Sequence, residues 1–431
     1  MTKTDLTIGF ARLSDCATLA AADARGTFTK YGLNVSLKRF DSWAALRDAL
    51  GHRIIDAAHM LAPMVVVSAA GLGPFPGAFT TSFTFNLNGN AITVSTALYD
   101  QMCAAAPDTM HRRPLSAAAL KRLVLQRQET GAPPLVFAHV YPYSMHAYEL
   151  RYWLGAAGID PHRDVQLIVL PPGQMVDSLA AGLIDGYCVG EPWNNAAVVA
   201  GYARTLITSG EIWSNGPEKV LAVRKDWAES NPDTHLTLLK CLLESSAWID
   251  RPENRVTAAQ IVSGSAYVDA PFDEVVGSLT GRNRQTGGET RIDLPDFNVF
   301  HRYAANFPWR SHAKWILSQM IRWGEAPREI DINAISQAAF QPDLYRSAAR
   351  ALAIACPSID EKTEGTHEHA WVLTDATHPI AFGPDRFMDG RIFDPADIDA
   401  YLDGFGVRTQ KPRMSETDVV QVVRLSRPVS A

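Results

Sequence analysis

One structural unit occurs twice in this chain, and it constrains the fold more than any other feature. "FDSWAALRDALGHRIIDAAHMLAP" (40–63) runs from an apolar stretch through a helical pattern into Ile55-Asp56 and a second apolar stretch. "LPPGQMVDSLAAGLIDGYCVGEPWN" (170–194) repeats those events, with Ile184-Asp185 at the matching step. Each copy reads as a βαβ step, the unit from which open parallel sheets are built. Ligands of such sheets bind at the carboxyl edge of the strands, so two lobes facing one another make a cleft, with residues 43 and 172–174 looking across it. The bland alternative is that Ile-Asp after a helix simply recurs in α/β proteins.

The rest of the first half supports parallel βα units. "LTIGFA" predicts a strand, with Ser14 or Asp15 as a possible N-cap for a helix that closes near Gly26. Then follow the strand "LNVSLKRF", the helix "SWAALRDALG" and the strand "IIDAAHM". A Gly/Pro-rich loop (71–78) precedes "FTTSFTFNLNGNAITVS", in which Asn88-Gly89 signals a turn. A helix is expected from about Thr96, and 106–134 reads as helical with a "GAPP" stop. The strand "LVFAHV" (135–140), the helix 144–158, the strand "DVQLIVL", the helix "GQMVDSLAAG" and the strand "DGYCVG" complete the pattern. Beyond residue 205 the chain turns mostly helical.

At 431 residues and 47% hydrophobic, the chain can bury the core of one large two-lobed unit. With 40 Lys plus Arg against 46 Asp plus Glu it carries no basic surface for nucleic acid or an anionic membrane, so an anionic ligand needs a local positive site. The five cysteines are scattered and odd in number, which favours reduced thiols over a disulfide framework. "MTKTDLTIGFARLSDC" enters a strand pattern at once and has no apolar leader core, so the expected location is the cytoplasm. No apolar run approaches a membrane span.

Four residues are candidates for chemistry. His146 stands in the first turn of a helix that Ser144 can cap, directly after a strand, where free N–H groups and the helix dipole attract small anions. The alternative for a lone histidine is a satisfied packing residue. Lys219, in "GPEKVLAV", opens a strand-like run; a lysine there is by default a solvated surface residue. Trp43 can offer an indole N–H and a flat wall, or ordinary packing. Asn90 can donate from its amide or serve the turn before it. His367-Glu368-His369, with His378 nearby, has no matching Cys/His set, so no metal or cofactor is expected. No GxSxG, GxGxxG or Walker pattern occurs.

"SMHAYELRYWLGAAGIDPHRDVQLIVLPPGQMVDSLAAGLIDGYCVGEPWN" followed by "GPEKVLAVRKDW" resembles the nitrate- and bicarbonate-binding proteins of ABC importers. The likeness extends to "SWAALRDAL", "IDAAHMLAPM", "NLNGNAITVS", "DLYRSAA" and "FMDGRIFDPADIDAYLDGF". It implies an α/β, two-lobed fold of the periplasmic-binding-protein type (type II), with two open mostly parallel sheets flanked by helices and a cleft between lobes. Lobe I is expected from 1–92 and 205–431, and lobe II from 93–204.

By position, the resemblance implies that nitrate is contacted by Trp43, His146 and Lys219 and at the place of Asn90; Gln174 and Gly190, in the second copy of the repeated unit, complete the expected ligand-binding set. The relatives have glutamine where this chain has Asn90. The bicarbonate relative carries an acidic residue at the lysine position and uses calcium, so Lys219 favours a bare univalent anion. Combined with the expected cytoplasmic location, the chain looks like the nitrate/nitrite sensors of the NasS type. In these, ligand releases an ANTAR-type RNA-binding antiterminator that controls nitrate assimilation genes; the sensor itself touches neither nucleic acid nor membrane. The alternative is the solute receptor of an ABC importer. An enzyme on the same fold is a third reading, for which the sequence offers no dedicated acid/base set.

Overall fold

The computed structural model describes residues 4–284 and 291–409. Ten strands matter for the site. They are β1 (Thr4–Ala11), β2 (Leu33–Phe40), β3 (Ala57–Leu61), β4 (Phe79–Thr84), β5 (Asn90–Ser95), β6 (Val136–His139), β7 (Gln166–Val169), β8 (Gly186–Gly190), β9 (Ala203–Thr208) and β10 (Lys219–Arg224). They form two five-stranded sheets, ordered β2-β1-β3-β10-β4 and β7-β6-β8-β5-β9.

The two sheets share one plan. β1 pairs in parallel with β2 and β3, and β6 pairs in parallel with β7 and β8. β10 is antiparallel to both its neighbours, and so is β5. Each sheet therefore has one reversed strand, in the fourth place of its order. The reversal has a topological cause. After β4 the chain leaves the first sheet and enters the second as β5; after β9 it returns to the first as β10. Asn88-Gly89 does turn, with φ of 61° and 104°, but the strands flanking this segment lie in different sheets rather than in a hairpin.

The repeated unit is a repeated structure. The helix Trp43–Gly51 leads into β3 and the helix Met175–Ala180 into β8, and these strands hold the same place in their sheets. The conserved step has a physical role in each copy. Asp56 Oδ2 accepts from Thr7 N at 2.8 Å, while Asp56 N donates to Thr7 O at 2.9 Å. Asp185 Oδ2 accepts from Val136 N at 2.8 Å, while Asp185 N donates to Val136 O at 2.7 Å. Each aspartate thus binds the neighbouring strand at the residue just before their first ladder pair, Thr7 before Ile8 and Val136 before Phe137, in place of backbone partners that the helix-to-strand turn cannot supply.

Several local expectations shift. Neither Ser14 nor Asp15 caps a helix; Ser14–Cys16 is a 3-10 turn that feeds the helix Ala17–Ala24. Within 106–134 only a short 3-10 turn (Pro107–Thr109) and the helix Ala118–Thr130 form, because the prolines at 107 and 114 interrupt the pattern. Ser144 does cap its helix, Met145–Ala156, accepting from Ala147 N at 3.1 Å.

β3, β8 and β10 are buried throughout, as strands covered on both faces must be. One hydrophobic cluster runs through both lobes, from Trp43, Leu46 and Met60 to Ile92, Phe137 and Tyr148. The lobes touch directly: Ser14 N donates to Glu191 O at 2.7 Å, Trp193 Nε1 to Arg12 O at 3.2 Å, and Arg47 Nη1 to Tyr141 Oη at 2.7 Å.

The C-terminal stretch braces both lobes. Its helix Arg310–Arg322 packs on the helix Ala62–Ala69 beside the first sheet. From the other side, Tyr148 and Arg151 donate to Glu325, and Tyr152 donates to Asp389. Among the described residues no helix is long and apolar enough to cross a membrane.

Candidate functional site

Lys219 is the first residue of β10, the strand that returns from the second sheet into the middle of the first. A lysine carried there leaves water entirely, and its relative exposure is 0%. Its ammonium is held by two carboxylates. Nζ lies 2.9 Å from Asp15 Oδ2 and 2.5 Å from Glu218 Oε1. Burial alone pulls the ammonium toward deprotonation, but Asp15 and then Glu218 outweigh it and hold the pKa above the ordinary lysine range. Lys219 is a buried cation, and Nζ sits 5.4 Å from the centre of the Trp43 ring.

The other lobe supplies the opposite wall. His146, in the first turn of Met145–Ala156, is fully buried, with Nδ1 3.5 Å from Glu218 Oε1. Glu149, one turn further along, shares Asn90 with Glu218: Asn90 Nδ2 donates to Glu149 Oε2 at 3.1 Å and to Glu218 Oε2 at 2.7 Å. Asn90 opens β5 opposite Gly190 of β8. A Cβ at Gly190 would stand 3.4 Å from Asn90 Oδ1, so glycine keeps this end of the strand open beside the amide. His59, on β3, places Nε2 3.5 Å from Asp15 Oδ1.

Electrostatics sort these groups. His146 is held well below the ordinary histidine range, first by burial and then by Lys219, so its ring is neutral with one N–H. His59 falls to about 4, mainly through burial. Glu149 is raised well above the carboxylate range by burial and by the neighbouring Glu218, which is itself raised by burial against the pull of Lys219.

The cluster contains polar atoms that the protein leaves unsatisfied. Trp43 Nε1, both ring nitrogens of His59 and His146, Asp15 Oδ1 and Asn90 Oδ1 have no hydrogen-bond partner among the described residues. Buried polar groups in folded proteins are nearly always paired, and each unpaired one costs about 1–3 kcal/mol. Their concentration around one ammonium marks a place that a small polar molecule completes. A planar oxyanion fits the unsatisfied donors, the indole N–H and one imidazole N–H, beside the ammonium.

The structure brings together Trp43, Asn90, His146, Lys219 and Gly190. Gln174 is not with them. It is exposed in the turn Pro172–Gln174, where Pro171-Pro172 start a 3-10 turn and direct the side chain outward at the head of Met175–Ala180. Sequence reasoning missed Asp15, His59, Glu149 and Glu218. Two of these had a signal: Glu149 lies three residues after His146 on one helix face, and Glu218 adjoins Lys219. His367 stacks on Trp371 at 3.9 Å, and no group of three or more His, Cys, Asp or Glu among the described residues is arranged to hold a metal.

Residues 1–263 match the model of the NMT1-like family. The chain belongs to that family. Its relatives include proteins named for nitrate/nitrite binding, nitrate import and bicarbonate transport. It is 32% identical over 417 residues to the nitrate/nitrite binding protein NrtA of Synechococcus elongatus, covering 94% of this chain and 87% of that protein. It is 37% identical over 385 residues to the bicarbonate transport ATP-binding protein CmpC of the same species, and 34% identical over 410 residues to the nitrate import ATP-binding protein NrtC of a Synechocystis species. These cover 88% and 94% of this chain, which itself spans about half of each of them, 54% and 56%.

The crystal structure of the periplasmic nitrate-binding protein NrtA from Synechocystis superposes with a TM-score of 0.80 at 29% identity, over 94% of this chain and 99% of that one. The sulphonate-binding protein SsuA from Escherichia coli, at 16% identity and a TM-score of 0.52 over 78% of this chain and 92% of that one, shares the fold alone. The periplasmic-binding-protein fold expected from the sequence is therefore the fold of this chain.

Proposed function

We propose that this protein is a binding protein for nitrate or nitrite, of the solute-receptor kind that serves an ABC importer. One observation carries the reading: Lys219, the sole cation among the described residues of a buried cluster, faces the unpaired donors Trp43 and His146 and the amide of Asn90. The kinship with nitrate-binding proteins over almost the whole chain supports the choice of oxyanion. Nitrate is weakly basic and planar, so it is held by several donors converging in a dry site rather than by one strong contact. The lobes that enclose the cluster close over the ligand, which is bound by stabilising the closed arrangement.

The regulatory alternative, a cytoplasmic sensor that releases an ANTAR-type antiterminator on binding nitrate or nitrite, shares this binding step and differs in what reads the closed form. Calorimetry with nitrate, nitrite and bicarbonate, with and without calcium, tests the ligand on wild type and Lys219→Glu. Wild type binds a nitrogen oxyanion without calcium and the variant does not; a wild type indifferent to both ions refutes the reading. Co-purification of an importer permease or of an antiterminator, with and without nitrate, separates the two roles.

A further inference from the structure

The carboxylate of Glu218 touches three of the groups assigned to the oxyanion. Oε1 is 2.5 Å from Lys219 Nζ and 3.5 Å from His146 Nδ1, and Oε2 is 2.7 Å from Asn90 Nδ2. A carboxylate and a nitrate are both planar, singly charged and acceptor-only, so the two compete for the same donors. We propose that Glu218 is an internal oxyanion that holds the Lys219 ammonium and the Asn90 amide, beside His146, in the absence of ligand, and that nitrate enters as Glu218 takes up a proton and gives up its charge. The proposal rests on the ligand reading above and adds the residue that sets its affinity and its pH dependence.

The surroundings of Glu218 require such an exchange. Around it are Lys219 on β10, Asn90 on β5, His146 and Glu149 on the helix Met145–Ala156, Asp15 in the turn Ser14–Cys16 and Cys188 on β8, with His59 on β3 behind Asp15. The single ammonium already faces two carboxylates, Asp15 and Glu218, so the ionised cluster carries one excess negative charge before any ligand enters. A further anion adds to this uncompensated buried charge, a state that proteins avoid by shifting protonation. Glu218 is the carboxyl to take the proton, because it hydrogen-bonds both Lys219 and Asn90 and also lies 3.5 Å from His146 Nδ1. Burial already raises its pKa, and a bound anion raises it further, so binding absorbs a proton and weakens as pH rises.

Nitrate titrations of wild type and Glu218→Gln from pH 6 to 8.5 test this, with a thermal melt to confirm that each variant is folded. The apparent Kd of wild type rises with pH, by up to about tenfold per unit. Glu218→Gln binds nitrate with little pH dependence, and at pH 8 it binds more tightly than wild type, by about tenfold or more, the factor of one pKa unit. If the variant does not fold, calorimetry of wild type in two buffers of different ionisation enthalpy reports proton uptake directly. Nitrate binding by wild type that is flat in pH and takes up no proton, or weaker binding by Glu218→Gln, overturns the proposal and leaves the ligand assignment standing. No nitrate binding by either protein at any pH overturns both.

Discussion

Lys219 and Asp15 form an ion pair, Nζ to Oδ2 at 2.9 Å, with neither side chain more than 4% exposed. The pair joins the strand that returns from the second sheet to the turn that follows the first strand. It fixes the cation of the site from the same lobe, leaving the other lobe free to approach it.

Removing Lys219 therefore has two effects. Lys219→Ala abolishes nitrate binding in calorimetry and, by stranding two buried carboxylates, costs about 3–5 kcal/mol in urea unfolding. A variant that keeps both wild-type stability and nitrate affinity refutes the assignment.

The repeated aspartates predict matched, ligand-independent losses. Asp56→Ala and Asp185→Ala each remove the acceptor of one ladder N–H, at 2.8 Å in both copies, and each destabilises the fold by about 1–3 kcal/mol. The check is equilibrium unfolding beside nitrate titration; unequal losses, or a large affinity change at intact stability, contradict equivalent roles.

Stability falls from pH 6.5 to 8. Glu191 is buried, and its pKa is pushed up to about 8. Its folded pKa exceeds the unfolded value, so the folded state binds the extra proton and stability drops through this window by about 1.4 kcal/mol per unit. Glu364, raised by burial to about 7, adds a loss of the same sign up to that pH. The buried histidines act oppositely and lower down: His59 and His235 fall to about 4 and His139 to about 3, so they oppose the trend only below their unfolded pKa near 6.5. Melting curves of wild type and Glu191→Gln at both pH values check this, and the variant shows the shallower decline.

The C-terminal brace acts on the site at a distance. Glu325 accepts from Tyr148 at 2.8 Å and from Arg151 at 2.5 Å, both on the helix that carries His146 and Glu149. Glu325→Ala is expected to cost about 3 kcal/mol, the lower end for a mostly buried pair, and to weaken nitrate binding through misplacement of His146. Unchanged affinity in a folded variant means that the brace stabilises without positioning.

The residues that the sequence made visible are those whose type is unusual for their place. A lysine opening an apolar strand, a histidine in a capped first turn and a tryptophan at a helix start each stood out, and all three meet in one cluster. Asp15, Glu149 and Glu218 stayed hidden because an acidic side chain is by default a cap or a solvated charge, and only pairing overrides that default. Their partners are remote in sequence; Asp15 meets Lys219 only because the chain crosses between sheets twice. The same distance explains the Asn88-Gly89 turn: local chemistry specified the bend but not which sheet received the next strand. Gln174 lies apart from the cluster because equivalence between the two copies holds for the helix, the aspartate and the following strand, but not for the loop that begins with two prolines.

Each reversed strand begins with a residue of the cluster: Asn90 opens β5 and Lys219 opens β10. Two of the groups proposed to hold the ion are thus mounted where the chain crosses between the lobes, whereas Trp43 and His146 ride on helices of the lobes themselves. Affinity and flexibility then share the same few atoms, so no change to the swing of the lobes near these crossings leaves the grip untouched.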